Sequence, residues 1–164
     1  MQYVVHLEIL TKMKLDSIDF KLIEALQKDS KQSIKQLAEG VNLSITPVHE
    51  RIKKLESSGI INGYTAIVDY SKLGKTLVVY CQVTLTTHQD EPFRKFEAYI
   101  NTLEDVIEAN YIAGTYDVLL KILLHDMNEY QEFILKRFSK MTIVSHIQSS
   151  FVIKNIKDGK NKVM

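Results

Sequence analysis

The stretch Asn42-Leu43-Ser44-Ile45-Thr46-Pro47-Val48-His49-Glu50-Arg51-Ile52-Lys53-Lys54-Leu55-Glu56 reads as a tight turn followed by a helix. Asn42 tolerates the left-handed backbone that ends one helix sharply. A new helix begins around Ser44, and Pro47 is admissible because it falls in the first turn, where an N–H has no intrahelical partner to lose. Val48, Ile52 and Leu55 recur at helical spacing as a buried stripe, and Gly59 stops the element. The same spacing turns Ser44, Thr46, His49, Glu50, Lys53 and Lys54 outward and leaves Arg51 between the two faces.

Upstream, everything periodic is also helical. Leu15, Ile18, Leu22, Ile23 and Leu26 lie on one helix face. Asp16 is placed to cap that helix, with Asp19 at N3 favouring the positive end of the dipole. Ser33-Ile34-Lys35-Gln36 is a capping box that opens a short second helix carrying Ile34, Leu37, Ala38 and Val41. Three short helices with a tight turn between the second and third outline a helix-turn-helix. Periodicity by itself fits equally well a plain helical bundle whose charges are merely solvated.

After Gly63 the period changes to two. Residues 64–70 read as an extended linker, and 77–86, rich in β-branched and aromatic residues, as a strand. Asp90-Glu91-Pro92-Phe93 opens a helix with Phe93, Phe96 and Ile100 on one face. Residues 106–113 and 118–124 form two strands around the hairpin turn Gly114-Thr115-Tyr116-Asp117. Asp126-Met127-Asn128-Glu129 is a further capping box, and its helix carries Tyr130, Phe133, Ile134 and Phe138. Residues 143–156 close as the last strand. The order β-α-β-β-α-β is the ferredoxin-like split arrangement.

Composition narrows the function classes. The 164 residues hold 21 Lys+Arg against 20 Asp+Glu, are 45% hydrophobic and contain one cysteine, which is ordinary globular composition. A lone Cys81 excludes an internal disulfide framework, and its mid-strand apolar setting predicts a buried, inert thiol. The N-terminal apolar stretch has no leading positive charge and is interrupted by Glu8, so it does not read as a signal peptide, and a soluble, cytoplasmic protein is expected. The five histidines show no ligand spacing, so no metal and no cofactor is expected. The pairs Asp90-Glu91 and Glu104-Asp105 read as solvated caps, and no phosphate loop or nucleophile elbow occurs, so the chain is not expected to be an enzyme. Residues 1–63 carry nine basic and eight acidic residues, so affinity for a polyanion would have to come from where charges sit rather than from an excess.

Residues Leu43 to Glu56, followed by Gly59-Ile60-Ile61-Asn62-Gly63-Tyr64, resemble the DNA-binding signature of the Lrp/AsnC (leucine-responsive, feast/famine) regulators. Leu15-Asp16-Ser17-Ile18-Asp19 resembles the opening L-D-x-x-D of that family. Ala113-Gly114-Thr115-Tyr116-Asp117-Val118-Leu119-Leu120-Lys121 resembles the G-D-x-D segment of its effector domain. The first acidic position of that segment is Thr115 here while Asp117 is kept. Two hydroxyl positions of the family's last strand fall near Ile147 and Ser149.

The resemblance implies an α+β chain in which an N-terminal winged helix-turn-helix is joined to a C-terminal ferredoxin-like βαββαβ domain of the RAM type. The boundaries expected are 14–63 for the DNA-binding domain, 64–75 for the linker and 76–157 for the effector and oligomerisation domain, with 1–13 and 158–164 as tails, the second a frayed Lys-rich end. The implied function is a sequence-specific, nucleoid-associated transcriptional regulator responding to a small effector, in the first instance an amino acid. DNA contacts are expected from Ser44, Thr46, Pro47, His49, Arg51, Lys53 and Lys54, with Arg51 supporting either the helix or a phosphate. Effector contacts are expected from Gly114, Thr115, Tyr116 and Asp117, completed by Gln148, Ser149 and Ser150. Without the resemblance, 114–117 is an ordinary hairpin turn. Homodimers assembling into octamers are implied as well, and the strand 77–86 offers an apolar sheet face for two copies to bury. Two alternatives stay open: an architectural DNA-bending protein that senses nothing, and a metabolite-binding ferredoxin-like module without DNA function.

Overall fold

The computed structural model describes residues 14–138 and 140–157; the expectations for 1–13 and 158–164 lie outside the described residues. Two compact units emerge, dividing between Ile67 and Val68.

The first unit contains α1 (Ser17–Lys28), α2 (Ile34–Gly40) and α3 (Ile45–Ser57). Its helix ends are made as the sequence expects. Asp16 Oδ1 accepts the N–H groups of Ile18 and Asp19 at 2.8 and 3.0 Å, and Asp19 Oδ2 returns the bond to the Asp16 N–H at 3.0 Å. Ser33 and Gln36 exchange the same pair of bonds at the start of α2. Asn42 has φ 55° at the α2–α3 turn, and Gly59 has φ 74° after α3, where the N–H groups of Ile60 and Ile61 both reach the Leu55 carbonyl. Leu22, Leu26, Leu37, Ala38, Val48 and Ile52 are buried together, with Leu43 and Ile61 packed at the margin. At roughly 1.5–3 kcal/mol per fully buried aliphatic side chain, this cluster is what holds three short helices that would be marginal alone.

The second unit contains a 3-10 turn (Tyr70–Leu73), β1 (Leu77–Leu85), α4 (Asp90–Ile100), β2 (Val106–Tyr111), β3 (Val118–Leu124), α5 (Met127–Glu132) and β4 (Val144–Phe151). The strands form one antiparallel sheet in the order β2-β3-β1-β4. The period of two in β1 and β3 turns Val79, Cys81, Val83 and Leu85, with Val118, Leu120, Ile122 and Leu124, onto one face. There they pack with Phe96, Ile100, Phe133 and Phe138. This completely buried face is covered by the chain's own helices. The face of β1 left for another copy is therefore the mixed one of Val78, Tyr80, Gln82 and Thr84, not an apolar one.

Four details differ from the sequence reading. The linker is interrupted by the 3-10 turn, capped by the Asp69 carboxylate on the Ser71 N–H. The helix after Asp126 runs on as a π-helix over Phe133–Phe138, whose wider turn brings Phe133 and Phe138, five residues apart, onto one buried face. Asp126 does cap this helix, but Glu129 turns to the N–H and ring of His125 rather than completing the capping box. The last strand ends at Phe151 instead of 156: Phe151 lies opposite Val79, the Val152 N–H still bonds the Val78 carbonyl, and β1 begins at Leu77, so it has no strand residue to set opposite 154–156.

Candidate functional site

The outward face of α3 is built by elimination. Its stripe Val48, Ile52 and Leu55 is consumed by the core, so Ser44, Thr46, His49, Lys53 and Lys54 project outward and are exposed, while Pro47 is half-buried in the first turn. Ser44 is the N-cap by backbone geometry, yet its hydroxyl makes no capping bond, in contrast to Ser33. The Ser44 hydroxyl, the first-turn N–H groups and the exposed Lys53 and Lys54 are donors of the kinds suited to phosphate oxygens.

Arg51 stands apart from this set. Its Nη1 lies 2.6 Å from Asp19 Oδ1 and 2.8 Å from Asp16 Oδ2, so the guanidinium ties the third helix to the capping box of the first. The Asp19 and Asp16 carboxylates hold the Arg51 pKa above its ordinary value. The Asp16 carboxyl is lowered, first by the backbone N–H of Asp19 and then by Arg51. Of the two roles anticipated for Arg51, support of the helix is the one its contacts serve. This bridge spans 32 residues of sequence.

In the second unit, residues 114–117 lie in a wide loop between β2 and β3, closed by the Ile112 N–H on the Asp117 carbonyl. Gly114 and Thr115 are exposed, Tyr116 and Asp117 half-buried. A Cβ at Gly114 would meet only Ile112 Cγ2 at 3.7 Å, so the chain's own packing does not demand glycine there. Asp117 is occupied within the chain. Its Oδ2 accepts the Leu85 N–H at 2.7 Å and its Oδ1 lies 2.7 Å from His88 Nε2. His88 and the Leu85 N–H together hold the Asp117 carboxyl below the usual carboxylate range. The carboxylate thus pins the loop to the end of β1. His88, which lies in no periodic segment, was not singled out by the sequence.

The three residues anticipated from the last strand do not act as one group. Ser149 pairs with Cys81 across the sheet and faces the core side, its Oγ 3.2 Å from the buried Cys81 Sγ. Gln148 and Ser150, one residue to either side, face the opposite side of the sheet and are exposed. Burial pushes the Cys81 thiol pKa up, as expected of an inert cysteine, with Ser149 opposing. Asp105 also departs from expectation. Rather than a solvated cap it is buried, held by Lys75 Nζ at 3.1 Å and by Arg137 Nη1. Asp90 and Glu91 do lie in the first turn of α4, with exposed Glu91 paired to Lys95 at 2.8 Å. Among the described residues no cluster of His, Cys, Asp and Glu could hold a metal, and no helix is long and apolar enough to cross a membrane.

Comparison with known proteins gives these two units a context. A winged helix-turn-helix DNA-binding family model matches residues 15–62, and the Lrp/AsnC ligand binding domain model matches 78–161. The DNA-binding transcriptional activator DecR of Escherichia coli K12 is 35% identical over 143 residues, covering 87% of this chain and 94% of that protein. The leucine-responsive regulatory protein of Salmonella typhimurium LT2 is 32% identical over 150 residues, covering 92% of each. A transcriptional regulator of Neisseria meningitidis, solved as a complex with L-Met, superposes with a TM-score of 0.85 at 30% identity, covering 88% of this chain and 94% of that one. The α+β architecture, the outward face of α3 and matches over nearly the whole chain agree: the chain belongs to the Lrp/AsnC family of DNA-binding transcriptional regulators and is not an enzyme.

Proposed function

We propose that this regulator reads duplex DNA through Ser44, Thr46, His49, Lys53 and Lys54, with Pro47 shaping the first turn and Arg51 positioning the helix. We infer further that it answers to a free amino acid bound beside the loop 114–117. The observation that carries the DNA reading is the division of labour on α3. Every outward polar side chain is exposed, while the one arginine is committed to Asp16 and Asp19. Hydroxyls and lysines then serve phosphates, and His49 reaches base edges.

The effector reading is supported by the ligand-binding domain match and by the Neisseria relative's L-Met complex. An amino acid needs N–H donors for its carboxylate and an acceptor for its ammonium. Gly114 and Thr115 expose backbone and hydroxyl for the first, and Gln148 and Ser150 expose polar ends on β4. Asp117 organises the loop through Leu85 and His88, and its field favours the ammonium. Paired reading heads about one DNA turn (~34 Å) apart would make up for the absence of a basic excess, so the protein acts as a homodimer, with octamers as the higher assembly. A ligand then acts through its different affinity for different assembly or DNA-bound states.

The test is titration calorimetry of the full chain with each standard amino acid, followed by DNA binding and light scattering with and without those that bind. Heat from at least one amino acid, accompanied by a shifted oligomer balance or altered DNA cooperativity, is the expected result. No heat from any of them removes the sensor and leaves a ligand-independent architectural DNA-binding protein.

A further inference from the structure

Among the described residues, one large apolar side chain on α3 is exposed and belongs to neither buried cluster. Ile45, the first residue of the helix, is 53% exposed, whereas the apolar residues Val48, Ile52 and Leu55 are all buried. The usual reason for an apolar residue at a helix start is a staple between the residue before the N-cap and the fourth helical residue. Here those positions are Leu43, packed against the core cluster, and Val48, buried within it, so the staple positions are filled without Ile45. An isoleucine also brings no helix-forming advantage at this position, since its branched Cβ restricts χ1.

The surroundings of Ile45 are the outward polar residues of α3 on which the proposed DNA reading rests. Ser44 and Thr46 flank it with exposed hydroxyls, His49 follows one turn later on the same side, and Lys53 another turn on. In the major groove, the apolar feature a side chain can meet at a base edge is the C5-methyl of thymine. We propose that Ile45 is a specificity-determining residue that packs its exposed aliphatic end against a thymine 5-methyl group. The proposal rests on the reading that the outward face of α3 enters the major groove, and it adds a preference that no polar contact on that face supplies.

The experiment removes the methyl and nothing else. Duplexes are first selected by the full-length protein from a random-sequence library. The tightest is then remade with deoxyuridine replacing thymidine at one position at a time. With the native protein, one thymine position should lose roughly fourfold in affinity, the factor that ~0.8 kcal/mol per methyl-sized group gives at ~1.4 kcal/mol per decade. Ile45→Ala should bind the thymine duplex about fourfold more weakly and show no further loss with deoxyuridine at that position. Ile45→Val, which keeps a branched apolar end, should fall between. Deoxyuridine without effect at every position, or an effect that persists in Ile45→Ala, overturns the proposal. The uridine series needs no variant, so a folding defect cannot hide the answer. Failure to enrich any duplex would instead bring down the DNA reading itself, an outcome separate from enrichment without a methyl effect.

Discussion

Arg51 offers the sharpest perturbation, because its two anticipated roles give opposite signatures. The guanidinium bridges Asp19 at 2.6 Å and Asp16 at 2.8 Å. Asp19 is 8% exposed, so Arg51→Leu strands a nearly buried carboxylate that keeps only its bond to the Asp16 N–H. A charge-assisted hydrogen bond to such a group contributes ~1.5–3 kcal/mol. The Arg51 side chain is 30% exposed and therefore partly screened, and the Asp19 carboxylate retains the favourable field of the α1 N-terminus. These corrections bring the expected loss to about 1–2 kcal/mol. For a domain of roughly 60–100 residues that is a fall of about 4–16 °C in the melting transition of the helix-turn-helix unit. The assay is calorimetric and urea unfolding of the native chain, Arg51→Leu, Asp19→Leu and the double variant. The cycle should return a coupling of about 1 kcal/mol or more. DNA affinity should fall only as far as the unit unfolds, with the salt dependence of the folded protein unchanged. Unchanged stability and no coupling, together with a salt slope reduced by about one unit, would refute the bridge and give the guanidinium to a phosphate.

Four further outcomes follow from the geometry. Lys53→Ala should weaken binding to all duplexes alike and lower the salt slope by about one, whereas His49→Ala should relax preference at one base position at a cost of ~1–3 kcal/mol; salt titration and competition binding separate them. In the second unit, burial raises the Asp105 pKa but Lys75 and Arg137 outweigh it and hold the carboxyl below its ordinary value. A depressed folded pKa gives stability that is present above the unfolded value of ~3.9 and lost as pH falls through the folded one, so Asp105→Asn should be less stable at neutral pH and show a flatter decline below about pH 4, read by melting temperature against pH. Asp117→Asn removes the charge that faces His88 while an amide oxygen can still accept the Leu85 N–H. Amino-acid heats should fall about tenfold or more in affinity with DNA binding in the absence of effector unchanged, and unaltered heats would remove Asp117 from the ligand's field.

What the sequence determined by itself is most of what neighbours within about four residues govern, the Asp126 capping box that Glu129 leaves for His125 being the exception. The caps at Asp16 and Ser33, the left-handed turn at Asn42, the stop at Gly59 and the buried stripe of α3 are all local hydrogen bonds, local sterics or a local period. The strands β1 and β3 were legible for the same reason, since alternation records which side of a strand is buried. What only the tertiary structure decided is whatever depends on a partner far along the chain. Arg51 meets Asp19 across 32 residues, Asp117 meets His88 across 29, and Asp105 meets Lys75 across 30. No spacing rule connects such pairs, so a residue that reads as an outward contact or a solvated cap becomes a bridge once packing brings its partner within reach. The end of β4 is of this kind too, because a strand continues only while its neighbour offers N–H and carbonyl groups, and β1 does not extend past Leu77. Family resemblance places Ser149 with Gln148 and Ser150 as one effector group; the pleat of the sheet divides them between its two faces, since successive side chains on a strand point in opposite directions.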